Sequence, residues 1–171
     1  MEVIENQREN NQELRYAGFW LRFAAYLIDS IVLSIGGFII AIPAILSIIG
    51  SALSLNNINS FEDIFVDGNW LKIGTIVGAI ILTSLLSLVM GWLYYALMES
   101  SKHGGTLGKL AVSIKVTNLD GERISFARAS GRYFARIITN MTLYIGYIMA
   151  GFTEKKQALH DVIASCLVIR K

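Results

Sequence analysis

Polar and apolar positions divide this chain into long blocks rather than into the short alternations of a soluble domain. From Ser30 to Phe61 there is no charged residue, and a second uncharged run covers Ile73 to Met98. A bilayer core about 30 Å thick needs about 20 helical residues, so both runs predict full membrane spans. The first, counted from Phe19, is expected over about 19–50, with Pro43 inside it as a kink or exit point. The second is expected over about 71–98. Trp70 at one end and Trp92, Tyr94 and Tyr95 near the other match aromatic belts at the two interfaces. Between them, about 54–70, lies an acidic loop with Glu62, Asp63 and Asp67.

The pattern changes at Glu99. Residues 99–136 are polar and basic. Within them, Ala111 to Thr117 alternates like a strand, Asn118 to Gly121 has turn chemistry, and Glu122 to Ser125 is placed to return as a hairpin. Phe126 to Ile138 reads as a helix with Arg128, Arg132 and Arg136 on one stripe. Such a basic amphipathic helix suits a membrane surface. A solvated basic face is the plainer alternative. A third apolar segment, 137–153, is at the lower length limit for a span. Residues 154–171 follow, with a short helix expected at Gln157 to Ala164. Cys166 to Ile169 is a possible last strand, pairing with the hairpin.

Composition sharpens this picture. The chain is 54% hydrophobic and 16% charged, against about 25% charged in a soluble domain. Its net charge of +2 gives no reason to expect a nucleic-acid partner. With 171 residues it has room for a polar tail (1–16) and one membrane domain (17–171). The first eighteen residues are polar and mixed in charge, so no cleavable signal is expected there. One cysteine, Cys166, allows no internal disulfide, and His103 and His160 lack the spacing of a zinc motif. No cofactor fingerprint, metal motif or nucleophile–base pair points to an enzyme.

Charge also predicts orientation. The loop between the spans has no Lys or Arg before Lys72. The segment after span two carries Lys102, Lys109, Lys115, Arg123, Arg128, Arg132 and Arg136. Loops rich in Lys and Arg stay inside, so the tail and basic segment are expected in the cytoplasm and the acidic loop outside. The C-terminal Lys155, Lys156, Arg170 and Lys171 also favour inside. That leaves the third segment as re-entrant or interfacial, or as a third span. The expected fold is therefore an α-helical integral membrane protein with two full spans, a short third apolar segment and a small cytoplasmic β-hairpin.

Several residues stand out as candidate chemistry. Arg22 and Asp29 lie in the first span and Asp161 near the end. A carboxylate near the bilayer centre costs about 2.5–3.5 kcal/mol on insertion scales, so Asp29 needs a partner, a proton or water. Arg22 is two turns away, too far to pair with it directly. His160 beside Asp161 is a candidate for tuning a proton site, or an ordinary hydrogen-bonded histidine. Lys109 and the arginine stripe 128, 132 and 136 are candidate contacts for lipid phosphates. Gly74 and Gly78 form a G-x-x-x-G for packing between the spans or for dimerisation. The GGTLGK run (104–109) is no P-loop: His103 stands where its first Gly belongs and Leu110 where Ser or Thr would follow the Lys.

The blocks AGFWLRFAAYLID (17–29), GTLGKLAVSIKVTNLDGERISFARASGRYFAR (105–136) and QALHDVIASCLVIR (157–170) resemble the RDD family of small bacterial membrane proteins, named for one arginine and two aspartates. Arg22, Asp29 and Asp161 then match the signature residues; Ser165-Cys166 stands where many relatives resemble Gly-Thr. The resemblance implies a multi-pass protein of the bacterial cell membrane, with transport of small ions (monovalent cation/proton exchange) among the suggested activities. On that reading the three charges bind an ion or proton, and because two spans alone enclose little pathway, a homo-oligomer or other membrane proteins are expected as partners. The alternative is a non-transport module that binds partner proteins or anionic lipid, the three charges locking the C-terminal segment onto the first span.

Overall fold

The computed structural model describes residues 15–53, 69–142 and 145–171. The expected polar tail, up to residue 14, and residues 54–68 of the acidic loop lie outside them. The chain forms two compact units. One combines the stretch up to Ile31 with Trp92–Lys171, and the other is Val32–Gly91.

Two long helices dominate. Helix α1 is Phe19–Leu53 and α2 is Asn69–Ser100. At 1.5 Å per residue both exceed the roughly 30 Å of hydrocarbon. Pro43 lies inside α1, which runs on to Leu53. Both helices are long and apolar enough to cross a membrane, and the most apolar window of each buries nothing inside the protein. Ile35, Phe38, Ile39 and Leu46 on α1 and Ile80, Leu82 and Leu85 on α2 are exposed. In water so much contiguous apolar surface would be a liability. In lipid it is the ordinary outside of a span.

Within the Val32–Gly91 unit, the close approach between the helices is at Gly36. A Cβ there would meet the Met90 sulfur at 3.1 Å. Gly74 and Gly78 have nothing within 4 Å of an added Cβ. Among the described residues the G-x-x-x-G face meets no partner.

The other unit is a small cap of short elements. They are α3 (Leu107–Ala111), β1 (Ile114–Thr117), α4 (Phe126–Met141), α5 (Ile145–Phe152), α6 (Leu159–Ile163) and β2 (Leu167–Arg170). Strand β1 pairs antiparallel with β2, Ile114 opposite Arg170 and Thr117 opposite Leu167. Of the strand expected over 111–117 only 114–117 forms, Ala111 closing α3 instead; the last strand, expected at 166–169, lies at 167–170, and the hairpin does not form. Asn118 makes the turn, its N–H donating to the Glu122 carbonyl at 2.9 Å, yet 122–125 forms no ladder. One edge of β1 is occupied by β2, and on the other the Val116 N–H donates to the Gly104 carbonyl at 2.6 Å. On the other side of β2, Tyr16 bridges Ile169, and the Ala17 N–H donates to the Val168 carbonyl at 2.8 Å. The stretch before α1 and the strand after α2 thus hydrogen-bond to opposite edges of the last strand.

The third apolar segment is not one helix. It is divided between the end of α4 and the eight-residue α5. Eight residues rise only about 12 Å, too little to cross. The cap's apolar core is small and contiguous: Ala17, Ala25, Ala96, Ile114, Val116, Ile124, Ala129, Cys166 and Val168. It joins the beginning of α1 and the end of α2 to both strands and α4.

Candidate functional site

Helix α4 begins at Ser125, whose hydroxyl accepts from the Arg128 N–H at 3.2 Å, an N-cap of the usual kind. Its inward face is Ala129, Arg132, Ala135 and Thr139. Its outward face carries Phe134, Ile137, Ile138 and Met141, all exposed. The helix is amphipathic in the inverted sense, with a guanidinium inward and apolar groups outward. A lipid-facing helix tolerates this arrangement if the inward charge is fully paired.

Arg132 is paired twice. Its Nε and Nη2 donate to Asp161 Oδ1 at 2.8 and 2.6 Å, and its Nη1 reaches both Glu99 oxygens at 2.7 Å. Asp161 also receives Arg22 Nη1 and, at 3.1 Å, the Ala158 N–H. Arg22 donates further to the Ala17 carbonyl (2.9 Å) and the Lys156 carbonyl (2.6 Å). Glu99 also accepts from Lys109 and from Arg136 Nη2, the latter at 3.0 Å. Arg136 lies over the Tyr95 ring, 4.1 Å from its centroid. Four cations thus share two carboxylates, and Asp161, Glu99 and Arg132 are at most 1% exposed.

The electrostatics follow from that geometry. Burial alone would raise the Asp161 carboxyl, but Arg132 and Arg22 outweigh it and hold it well below the usual carboxylate range. Burial would lower Arg132; Asp161 and Glu99 outweigh it and raise it, so its charge is secure. Lys109 differs. Burial pulls it down, Arg132 and Arg136 add to the effect, and Glu99 only partly opposes it, leaving it at about 7. His160 lies 3.4 Å from Asp161 and 3.5 Å from the Thr139 hydroxyl. Burial, reinforced by Arg132 and Arg136 against the pull of Asp161, pushes it well below its ordinary value. It is a neutral ring near the cluster.

Asp29 belongs to a separate arrangement. It is 1% exposed, and its carboxylate accepts from the Tyr94 hydroxyl (2.7 Å), the Thr106 hydroxyl (2.5 Å) and the Gly108 N–H (2.8 Å). Among the described residues no Lys, Arg or His is within ion-pair distance of it. Gly108 allows this docking. A Cβ there would fall on the Ala25 carbonyl and 2.9 Å from the Asp29 carboxyl. The glycine-rich run therefore places a short helix start against α1. Gly104, at φ 67°, supplies the turn leading into it.

The signature charges are thus divided. Arg22 and Asp161 meet, whereas Asp29 bonds to neutral donors. Of the four cations expected at lipid phosphates, Arg128 is exposed, while Lys109, Arg132 and Arg136 turn inward onto Glu99 and Asp161. Glu99, Tyr94 and Thr106 were not among the expected site residues. Glu99 had left one signal, a lone carboxylate closing an uncharged run with basic residues following it.

Residues 16–165 match the RDD family. The chain is 41% identical over 155 residues to the uncharacterized protein YxaI of Bacillus subtilis (strain 168), covering 91% of this chain and 97% of that protein. It is 26% identical over 162 residues to the uncharacterized membrane protein YteJ of the same organism, covering 91% of this chain and 82% of that one. No solved structure matches. With the match running from Tyr16, just before α1, to the turn before β2, this membrane protein belongs to the RDD family.

Proposed function

We propose that this chain is a two-span interaction module of the cell membrane, in which Arg22, Asp29 and Asp161 clasp a basic cap to the span ends instead of carrying ions. The observation that carries this reading is the closure of the charges. Asp161 is held between Arg22 and Arg132, Arg132 continues to Glu99, and every Asp29 oxygen has a donor. A network so fully paired favours one arrangement of the cap, the role best attested for buried ionic groups.

The two-span count draws support from the hydrogen bonding of Arg15–Ala17 and β1 to the two edges of β2. Segments hydrogen-bonded to one another lie on one side of the bilayer, so the chain between them crosses an even number of times. The excess of Lys and Arg in the cap favours the cytoplasmic side. The exposed flanks of α1 and α2, including the open Gly74–Gly78 face, suit lipid, a second copy or another membrane helix.

Monovalent cation/proton exchange at Asp29 is the second reading, favoured by one observation: Asp29 is buried with no cationic partner among the described residues. Sodium- or potassium-driven proton flux in proteoliposomes separates the two. The expected result is no flux above empty liposomes from folded wild-type protein. Flux that disappears in Asp29→Asn would overturn the clasp reading and establish the exchanger.

A further inference from the structure

A groove of about 390 Å³ opens where α1 begins, between Gly18, Phe19 and Trp20 on one side and Ile148, Gly151 and Phe152 of α5 on the other. Lys156 completes its wall. The volume lies within the range of small-molecule sites. The lining is apolar apart from that one ammonium, and its aromatic edges stand open: Trp20 is 76% and Phe152 87% exposed.

We propose that this groove seats an anionic phospholipid, its acyl chain against Phe19, Trp20, Ile148 and Phe152 and its phosphate at the Lys156 ammonium. Charge complementarity favours this occupant. Among the described residues no carboxylate lies within ion-pair distance of Lys156, and no acidic residue stands in the first turn of α1. The location favours it too, because Phe19 and Trp20 open a span, at the level where a headgroup meets the hydrocarbon. The lysine stem runs alongside Gly18, where a Cβ would sit at ordinary contact distance, 3.7 Å from Cδ and 3.9 Å from Nζ of Lys156. The clasp fixes the backbone from which that lysine projects, since the Lys156 carbonyl accepts from Arg22 Nη2 at 2.6 Å. The selectivity is for headgroup charge, with a long lysine stem lying along apolar surface.

The proposal rests on the membrane placement given above. Labelling of reporter cysteines at Lys102 and Lys171 tests that placement alone, so the two can fail separately. The lipid itself is tested by titrating detergent-solubilised full-length protein with phosphatidylglycerol, phosphatidylcholine of the same chains, or inorganic phosphate, and following the thermal unfolding midpoint. Phosphatidylglycerol is expected to raise the midpoint and the other two to leave it in place. One lysine near a phosphate contributes about 1 kcal/mol, so Lys156→Gln is expected to weaken the apparent affinity about fivefold. Gly151→Leu fills the groove without touching the charge and is expected to abolish the shift, while the neighbouring Lys155→Gln retains it. An equal effect of phosphatidylcholine or of inorganic phosphate, or a phosphatidylglycerol shift that survives both Lys156→Gln and Gly151→Leu, would overturn the proposal.

Discussion

Arg132 on α4 holds both carboxylate oxygens of Glu99, at the end of α2, through one guanidinium nitrogen at 2.7 Å. That contact ties the cap to the second span, as Arg22 with Asp161 ties it to the first. Removing one partner of a buried pair costs about 3–5 kcal/mol, because the other charge is left unpaired. Glu99→Gln is therefore expected to destabilise by that amount in denaturant unfolding from detergent. Lys109 would no longer have a carboxylate to pair with, so Glu99→Gln combined with Lys109→Met should cost less than the sum of the single changes. Strict additivity would contradict the shared network.

The two signature aspartates should behave differently. Asp161→Asn breaks ion pairs with two arginines and is expected to cost about 3–5 kcal/mol. Asp29→Asn keeps an acceptor for the Gly108 N–H, and the Tyr94 and Thr106 hydroxyls can reorient, so about 1–2 kcal/mol is expected. Unfolding midpoints of the two variants side by side give the order directly. A larger loss at position 29 would mean that its charge does more than dock α3.

Two glycines in glycine-rich motifs have opposite expectations. Gly108→Ala puts a methyl onto the Ala25 carbonyl, and overpacking of this kind costs about 1–3 kcal/mol or more. Gly74→Ala meets none of the described residues and should stay within about 0.5 kcal/mol for the monomer. A loss of self-association in Gly74→Ala, read by crosslinking, would assign that face to a second copy.

Two buried bases set the pH response. His160 is held below its ordinary 6.5 by burial, so below that pH the unfolded chain takes a proton that the folded one refuses. Lys109 is lowered from 10.5 to about 7 by burial, so between those values the unfolded chain is again the more protonated. Stability rises with pH wherever the unfolded state binds more protons. The folded state should gain stability as pH rises toward 6.5 through His160, with the lysine contribution arriving between about 7 and 10. Unfolding free energies across that range check it, and Lys109→Met should flatten the alkaline part.

Topology has its own measurement. In a Cys166→Ala background, Lys102→Cys and Lys171→Cys are expected to react with an impermeant maleimide from the same face of sealed vesicles. Reaction from opposite faces would require the chain after α2 to cross the bilayer.

The positions of the spans were legible in the residues alone, because bilayer thickness acts locally: an uncharged run either matches the hydrocarbon or does not. Spans expected at about 19–50 and 71–98 are helices at 19–53 and 69–100, and the strand expected over 111–117 is present at 114–117, whereas the hairpin expected with 122–125 is not formed. The partners of the charges were not legible. Arg22 finds Asp161 across 139 residues, and Arg132 finds Glu99 across 33. The stripe 128, 132 and 136 has one helical period whether it faces phosphate, water or a carboxylate. Only the packing of α4 within the cap decided that Arg132 points inward and Phe134 outward. Periodicity records which side chains share a face, and the tertiary structure decides what that face meets.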